Sequence, residues 1–257
     1  MPLTRKARYA WDVGCELYAR ALGVFLTDSQ IGKLHSRRNS MLLGRCVDEV
    51  NVEVLESPGF IQSVRQAGPH TLLDTPRLAN LWSLCQATDS NGAILEVGTF
   101  RGGSALHLAN SGGDRKMVVC DPFSSESFES LDTELDANFS YGDFASASEM
   151  HVQKIFKDAG KDAEIIAGYF PGSVRDRELP KISFAYIDVD VYKAMLESLG
   201  YLADSGVLLD RSLIVIDDFC RRAEGVDKAV EEFLAAHPGW RSFPLFPSQG
   251  LLVPPTY

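Results

Sequence analysis

The stretch AILEVGTFRGGSALHLA, residues 93–109, combines a short apolar run, a glycine-rich segment and a helix-forming sequence. The apolar run predicts a buried strand, the glycines predict a tight turn, and a helix is expected to begin near Ser104. A glycine turn lets ligand atoms approach the backbone, and a helix start offers N–H groups without partners inside the helix. The stretch therefore predicts a ligand cradle; a purely structural connection between strand and helix is the alternative.

The spacing of these glycines differs from the G-x-G-x-x-G pattern of dinucleotide-binding proteins. Glu96 lies on the predicted strand, just before the turn. A carboxylate there can accept hydrogen bonds from hydroxyls or an ammonium group, but it would repel a pyrophosphate. The cradle is therefore expected to bind a nucleoside that carries no phosphate, rather than NAD.

Composition narrows the class of protein. A chain of 257 residues that is 45% hydrophobic can bury one full core with appendages. Its formal net charge of −10 argues against a nucleic-acid partner, because phosphate binding needs a basic face. No apolar run approaches 18 residues, the N-terminus lacks an apolar signal core, and the five cysteines form no C-x-x-C pair. These features predict a soluble, cytoplasmic protein with free thiols, not associated with a membrane.

The order of predicted elements indicates an α/β fold. Residues 1–70 are predicted as an N-terminal helical extension or cap, because Tyr9, Val13 and Leu17 recur at helical intervals. In residues 71–257, strands alternate with helices, which predicts a mostly parallel sheet that binds ligands at the C-terminal strand ends. Residues 240–253 are predicted as a closing antiparallel hairpin. The predicted parallel strands cover residues 93–97, 117–120, 163–167, 184–187 and 213–216.

Acidic residues close four of these strands, and a parallel sheet brings their ends to one edge. Converging carboxylates raise one another's pKa unless a cation shields them. All-oxygen ligation suits Mg²⁺, with Ca²⁺ or Mn²⁺ as alternatives. Each acid taken singly is equally compatible with a helix cap or a turn residue. The six residues are Glu96, Asp121, Asp188, Asp190, Asp217 and Asp218.

Several other polar residues have weaker signals. Residues 122–150 contain seven acids and no Lys or Arg, so they are predicted to form either a mobile lid or a solvated loop. Lys193 is expected on the surface of a first helical turn, although it could act as a base. His107 is expected to pack in a helix, and His151 opens a helix from which it could reach the ligand edge.

Several motifs together resemble the macrocin O-methyltransferase family. They are EVGTFRGGSA, the D-P-F after the second strand, GYFPGSV, YIDVDVY, and IVIDDF followed by EGVDKAVEEF. The resemblance extends from about residue 72 to residue 253. Members use S-adenosylmethionine and a metal ion to methylate sugar hydroxyls of glycosylated natural products. The resemblance implies a Rossmann-like class I methyltransferase fold, a small-molecule glycoside substrate and a homo-oligomer, dimer or higher.

The resemblance also implies residue roles. Asp190 would be the general base, although the opposite division of roles between Asp188 and Asp190 stays open. The glycine turn would hold the methionine end of the cofactor, Asp121 its ribose, and the Gly168–Tyr169 region its adenine. The implied cofactor-binding residues are Glu96, Val97, Gly98, Thr99, Ser104, Asp121, Gly168, Tyr169 and Asp188. The implied Mg²⁺ ligands are Asp188, Asp217 and Asp218.

Three alternatives stay open from sequence. A catechol-type phenolic O-methyltransferase would use the same metal chelation. The segment IDVDV resembles the nucleophile loop of a Mg²⁺-dependent phosphatase, although that loop belongs on a first strand and here it closes the fourth. A non-catalytic binding protein would keep the fold but has no use for unshielded carboxylates. The family usually has D-G-D-L-Y-D where this chain has D-V-D-V-Y-K, which leaves the acceptor open.

Overall fold

The computed structural model describes residues 52–124, 128–219 and 223–256. The chain divides into two compact units, Met1–Ile61 and Gln62–Tyr257. The amphipathic helices predicted before residue 52 lie outside the described residues. Helix α1 spans Val52–Glu56 and helix α2 spans Pro58–Ala67, followed by a short 3₁₀ turn at Gly68–His70. The predicted boundary at residue 70 stays a prediction.

The second unit is built on a seven-stranded sheet with the order β3-β2-β1-β4-β5-β7-β6. The first five strands are parallel, and the last two join antiparallel. The predicted α/β fold is therefore confirmed. The strands are β1 Ala93–Val97, β2 Met117–Asp121, β3 Glu164–Ala167, β4 Ile182–Ile187, β5 Leu208–Ile216, β6 Arg241–Leu245 and β7 Gln249–Val253.

Helices cover both faces of the sheet. Side chains of a strand alternate between its faces, and in β1 Leu95 belongs to the core that the helices Tyr192–Asp204 and Glu224–Ala236 cover. Ile94 points the other way, where its side chain limits the space at Gly112, just after the helix Gly103–Ser111. The helices of this unit are α3 Thr75–Gln86, α4 Gly103–Ser111, α5 Glu149–Asp158, α6 Tyr192–Asp204 and α7 Glu224–Ala236.

The C-terminal hairpin inserts its second strand next to β5 and leaves its first strand at the edge. The burial of the two strands explains this order. Four of the five residues of β7 are buried, whereas those of β6 are exposed or half-buried. β6 also contains Pro244, which has no N–H to donate to a further strand. Among the described residues, no helix is both long and apolar enough to cross a membrane.

The strand order places the ligand edge. β1 lies between β2 and β4, so the chain connections leave it in opposite directions. In parallel α/β sheets, ligands bind in the crevice outside the carboxyl ends of the strands at such a switch point. The glycine turn after β1 lies at this crevice. Asp74 caps the N-terminus of α3, because its side chain accepts a hydrogen bond from the backbone N–H of Arg77 at 3.0 Å.

Candidate active site

The glycine turn after β1 packs directly on the end of β4. Gly98 has φ +82°, and a Cβ at this position would overlap the carbonyl oxygen of Asp188. Only glycine permits both the left-handed conformation and this close approach. Gly102, also at positive φ, ends the turn just before α4. The glycine turn and Asp188, the first acid after β4, are therefore held in backbone contact.

Glu96 is fully buried and joins the strand end to the turn and the following helix. Its carboxyl accepts hydrogen bonds from the Ser104 hydroxyl at 2.5 Å and the Thr99 hydroxyl at 3.4 Å. Burial raises the pKa of Glu96 to about 8 from its ordinary 4.5. At neutral pH this residue therefore carries a proton and fixes the shape of the turn. Cofactor contact by Glu96 and Ser104 stays a prediction.

Asp121, at the end of β2, binds the same turn from the other side. Its Oδ2 accepts the backbone N–H groups of Thr99 at 2.8 Å and Phe100 at 3.0 Å, and its Oδ1 accepts that of Phe123 at 2.9 Å. Burial raises the pKa of Asp121 despite these bonds. Asp121 thus shapes the glycine turn, and contact between its carboxylate and a ribose stays a prediction.

Gly168 and Tyr169 follow β3 and lie beside Asp121. The N–H of Gly168 donates to the Asp121 carbonyl at 3.0 Å, and Gly168 has φ +126°. Tyr169 is half-buried. The structure therefore places this pair on the β2–β3 side of the glycine turn, which is compatible with the predicted adenine contact but does not test it.

The acids that follow β4 and β5 come together, as the parallel sheet predicted. Burial raises the pKa of Asp188 well above its ordinary value, and the negative charges of Asp217, Asp190 and Asp218 raise it further. The Tyr186 hydroxyl donates to Asp188 Oδ2 at 3.1 Å. The acidic cluster, defined as these four residues, is therefore close enough for the other three to act on Asp188 electrostatically.

Unusual backbone conformations concentrate at this edge. Five non-glycine residues among those described have positive φ, and four of them follow β1, β2, β4 or β5 within three residues. They are Phe100, Phe123, Asp190 and Asp218. Such conformations cost energy and persist where the surrounding structure enforces them, often at functional sites. Strain is therefore concentrated at the crevice.

Arg77 on α3 is the main member of this site that sequence reasoning missed. Its Nη1 donates to Asp217 Oδ2 at 2.5 Å and lies 3.9 Å from Asp218 Oδ1. Its Nη2 donates to the Leu72 carbonyl at 3.3 Å, and the residue is only 5% exposed. Asp217 holds the pKa of Arg77 well above its ordinary value despite burial. One buried cation therefore neutralises part of the acidic cluster.

The acidic cluster has the right donors for a hard cation but is not arranged around one. Across residues 52–124, 128–219 and 223–256, no three His, Cys, Asp or Glu side chains are grouped so as to hold a metal ion. Asp217 Oδ1 is nevertheless buried and accepts no hydrogen bond from any described residue. The oxygen donors of Asp188, Asp217 and Asp218, with the unused Asp217 Oδ1 among them, are of the type that a divalent cation such as Mg²⁺ prefers.

The remaining candidates, His107, Lys193 and His151, each have a partner in the structure. His107 is fully buried between the Ser63 hydroxyl at 2.8 Å and the Leu78 carbonyl at 2.9 Å, and burial lowers its pKa to about 4. Lys193 lies on the surface with Glu197 at 3.8 Å. His151 pairs with His70, with 3.2 Å between ring nitrogens. His107 therefore packs and Lys193 is a surface residue, as expected.

The variant Glu96→Gln tests whether the buried Glu96 carboxyl carries a proton in the folded protein. Because the folded pKa of Glu96 exceeds the unfolded value, the native state keeps a proton that the unfolded chain releases between about pH 4.5 and 8. This residue therefore contributes stability that is full below pH 4.5 and is lost as the pH rises through 8. We expect Glu96→Gln to match wild type in urea unfolding near pH 4 and to become the more stable protein as the pH rises from about 4.5 to 8 and above.

The acidic segment, defined here as residues 128–150, is packed onto this edge rather than solvated along its length. Phe128 is 6% exposed, and its ring contacts Phe139 and Phe144 with centroids 5.7 and 6.2 Å apart. Phe144 in turn contacts Phe100 of the glycine turn at 5.5 Å. One buried aromatic side chain, Phe128, and the half-buried Phe139 and Phe144 therefore anchor part of the segment at this edge, and its role as a mobile lid or a solvated loop stays a prediction.

Comparisons with known proteins agree with this geometry. A family model described as macrocin-O-methyltransferase (TylF) matches residues 63–239, more than half of the chain. No curated protein matches significantly. The solved O-methyltransferase NovP has a TM-score of 0.63 at 17% identity, covering 75% of this chain and 88% of its own.

Two further solved structures are similar in fold. The calicheamicin methyltransferase CalS11 has a TM-score of 0.53 at 16% identity, covering 77% of this chain and 93% of its own. An O-methyltransferase from Bacillus cereus, solved in complex with SAH, has a TM-score of 0.52 at 15% identity, covering 86% and 96%. At these identities, the structural neighbours establish the fold.

Proposed function

Because this chain belongs to the macrocin O-methyltransferase family, we propose that it methylates a sugar hydroxyl of a glycosylated natural product with the help of Mg²⁺. Membership makes the protein an S-adenosylmethionine-dependent O-methyltransferase. The family match gives no support to the two other classes considered from sequence, a phosphatase and a non-catalytic binding protein. Our proposal adds the glycoside acceptor, the metal ion and the roles of individual residues to the activity that family membership gives.

The glycine turn is proposed to hold S-adenosylmethionine, which supplies an electrophilic methyl group on a sulfonium. Glu96, Ser104 and Asp121 preorganise this turn through the hydrogen bonds described above. Preorganisation keeps the reacting partners aligned without ordering the backbone during the reaction. Val97, Gly98 and Thr99 would line the methionine end, and Gly168 with Tyr169 would border the adenine.

Asp188, Asp217 and Asp218 are proposed to hold Mg²⁺. The supporting observation is the convergence of these carboxylates, with the unused and buried Asp217 Oδ1 among them. When bound, Mg²⁺ shields these charges and lowers the pKa of an acceptor hydroxyl. The proposal includes rotation of these side chains, because they do not surround a single point as they stand.

Asp190 is proposed to take the proton of the acceptor hydroxyl. It follows Asp188 by two residues and is held at φ +62°. The hydroxyl oxygen bonds to the methyl carbon as the carbon–sulfur bond breaks, and the proton moves to a carboxylate oxygen of Asp190. The products are a methyl ether and S-adenosylhomocysteine. The assignment of this role to Asp190 rather than to Asp188 follows the family resemblance.

The family match carries this proposal, and two measurements on the purified chain test it. Calorimetry with S-adenosylmethionine and S-adenosylhomocysteine is expected to give micromolar binding. Methyl transfer is then assayed with glycosylated and catechol acceptors, in Mg²⁺ and in EDTA. We expect transfer to the glycoside that EDTA abolishes and Mg²⁺ restores.

The other outcomes are equally informative. Transfer that is insensitive to EDTA would remove the metal from the proposal, and transfer to the catechol alone would replace the acceptor class. Absence of binding by either cofactor form, in a folded protein, would contradict the proposed cofactor site. The homo-oligomer implied by the family resemblance stays a prediction, for which sedimentation is the direct measurement.

A further inference from the structure

Asp136 is the one fully buried acid of the acidic segment. It is 2% exposed, whereas the neighbouring Asp132 and Glu134 are exposed. Its Oδ1 accepts the backbone N–H of Tyr192 at 3.0 Å, and its Oδ2 accepts the backbone N–H of Asp132 at 2.9 Å. Each carboxylate oxygen of Asp136 therefore accepts a hydrogen bond, one from its own segment and one from a residue 56 positions later in the chain.

The distant bond caps a helix next to the acidic cluster. Tyr192 is the first residue of α6, and Val191, at the N-cap position, makes no capping side-chain bond. Asp136 therefore supplies the cap from another part of the chain, where the helix dipole favours a carboxylate. The capped residue is only two positions after Asp190, whose positive φ must be enforced by its surroundings.

The start of α7 packs against the hydrogen bond between Asp136 and Tyr192. A Cβ at Gly225 would overlap Asp136 Oδ1 and crowd the Tyr192 N–H, so only glycine fits there. The Tyr192 hydroxyl also donates to Glu232 of α7 at 2.6 Å. Since α6 follows the acids of β4 and α7 follows the acids of β5, Asp136 lies where both acid-bearing loops enter their helices.

We propose that Asp136 is a positioning residue for methyl transfer, which fixes the Asp188–Asp190 loop and anchors the acidic segment beside the acceptor. At its other end the acidic segment contacts the cofactor turn through Phe144 and Phe100. The segment thereby ties the cofactor side of the crevice to the acidic cluster. This inference rests on the proposed function, in which Asp190 takes the acceptor proton.

The test compares Asp136→Asn with Glu134→Gln, which removes an exposed charge from the same segment. An asparagine keeps one acceptor but turns an N–H₂ group toward a backbone N–H, so one of the two bonds is lost. We expect Asp136→Asn to lower kcat by about 10- to 100-fold through misplacement of Asp190. S-adenosylhomocysteine affinity should stay within about threefold of wild type, and the acid limb of the kcat profile should shift. Glu134→Gln should resemble wild type.

Gly225→Ala is a second way to displace Asp136. The added methyl group would push on Asp136 Oδ1, while the carboxylate itself is retained. A merely structural role would lower stability in both variants without changing kcat or its pH profile. Wild-type kcat in Asp136→Asn would overturn the inference.

Amide hydrogen exchange distinguishes failure of the positioning role of Asp136 from failure of the proposed function. Exchange at residues 190–193 is expected to accelerate at least tenfold in Asp136→Asn, whatever the acceptor. If wild type does not methylate a glycoside, the proposed function fails, and the exchange result judges the positioning role alone. Unchanged exchange in Asp136→Asn would overturn that role.

Discussion

Asp190→Asn is expected to lower kcat for methyl transfer by about 10²–10⁴-fold, the range that loss of a general base produces. The asparagine keeps the size of the side chain and tolerates the positive φ of Asp190, so the backbone is expected to stay in place. What is lost is the carboxylate that accepts the acceptor proton. Single-turnover transfer of a labelled methyl group, with S-adenosylhomocysteine affinity measured in parallel, isolates this step from cofactor binding.

Asp188→Asn distinguishes the two roles that sequence left open. If Asp188 is a metal ligand and Asp190 the base, calorimetry should show Mg²⁺ binding lost in Asp188→Asn and kept in Asp190→Asn. The reverse pattern would exchange the roles. Glu197→Gln, an exposed acid on α6, is the charge control. Activity near that of wild type in Asp190→Asn would contradict a base at this position.

The strand-end acids were predictable because a parallel sheet fixes where strands end. Alternating strands and helices predicted the sheet, and the sheet brought Asp188, Asp190, Asp217 and Asp218 to one edge. The inference needed no side-chain detail, since strand direction alone determines which residues converge. The order of the two hairpin strands was not predicted; the structure buries the QGLLV strand next to β5 and leaves the RSFPL strand at the edge.

The partners of those acids were not predictable, because they depend on contacts between distant residues. Arg77 meets Asp217 across 140 residues, and its sequence context, TPRLANL, reads only as a capped helix. Asp136 is one of seven acids in residues 122–150 that look alike in sequence, and its burial follows from the fold. The partners of Glu96, the hydroxyls of Ser104 and Thr99, were likewise not predicted, and cofactor contact by Glu96 stays a prediction.

Arg77 offers the strongest test of how the acidic cluster is stabilised. In the metal-free protein, its guanidinium is the buried cation that pairs with Asp217, and the two side chains are 5% and 2% exposed. Removing one partner of a buried ion pair leaves an uncompensated charge in a medium of low polarity. Arg77→Met is therefore expected to lower the free energy of unfolding by about 3–5 kcal/mol, measured by urea denaturation in EDTA.

The double variant Arg77→Met with Asp217→Leu separates the charge effect from lost packing. Replacing both members of a buried pair by apolar residues is often neutral for stability, so the double variant should recover most of the loss while remaining inactive. Mg²⁺ should stabilise Arg77→Met more than wild type, because a bound cation then replaces the missing positive charge and binds only the folded chain. Equal stability of wild type and Arg77→Met in EDTA would show that Asp217 does not need this cation. Lack of any Mg²⁺ effect on either protein would instead argue against a metal ion at this cluster.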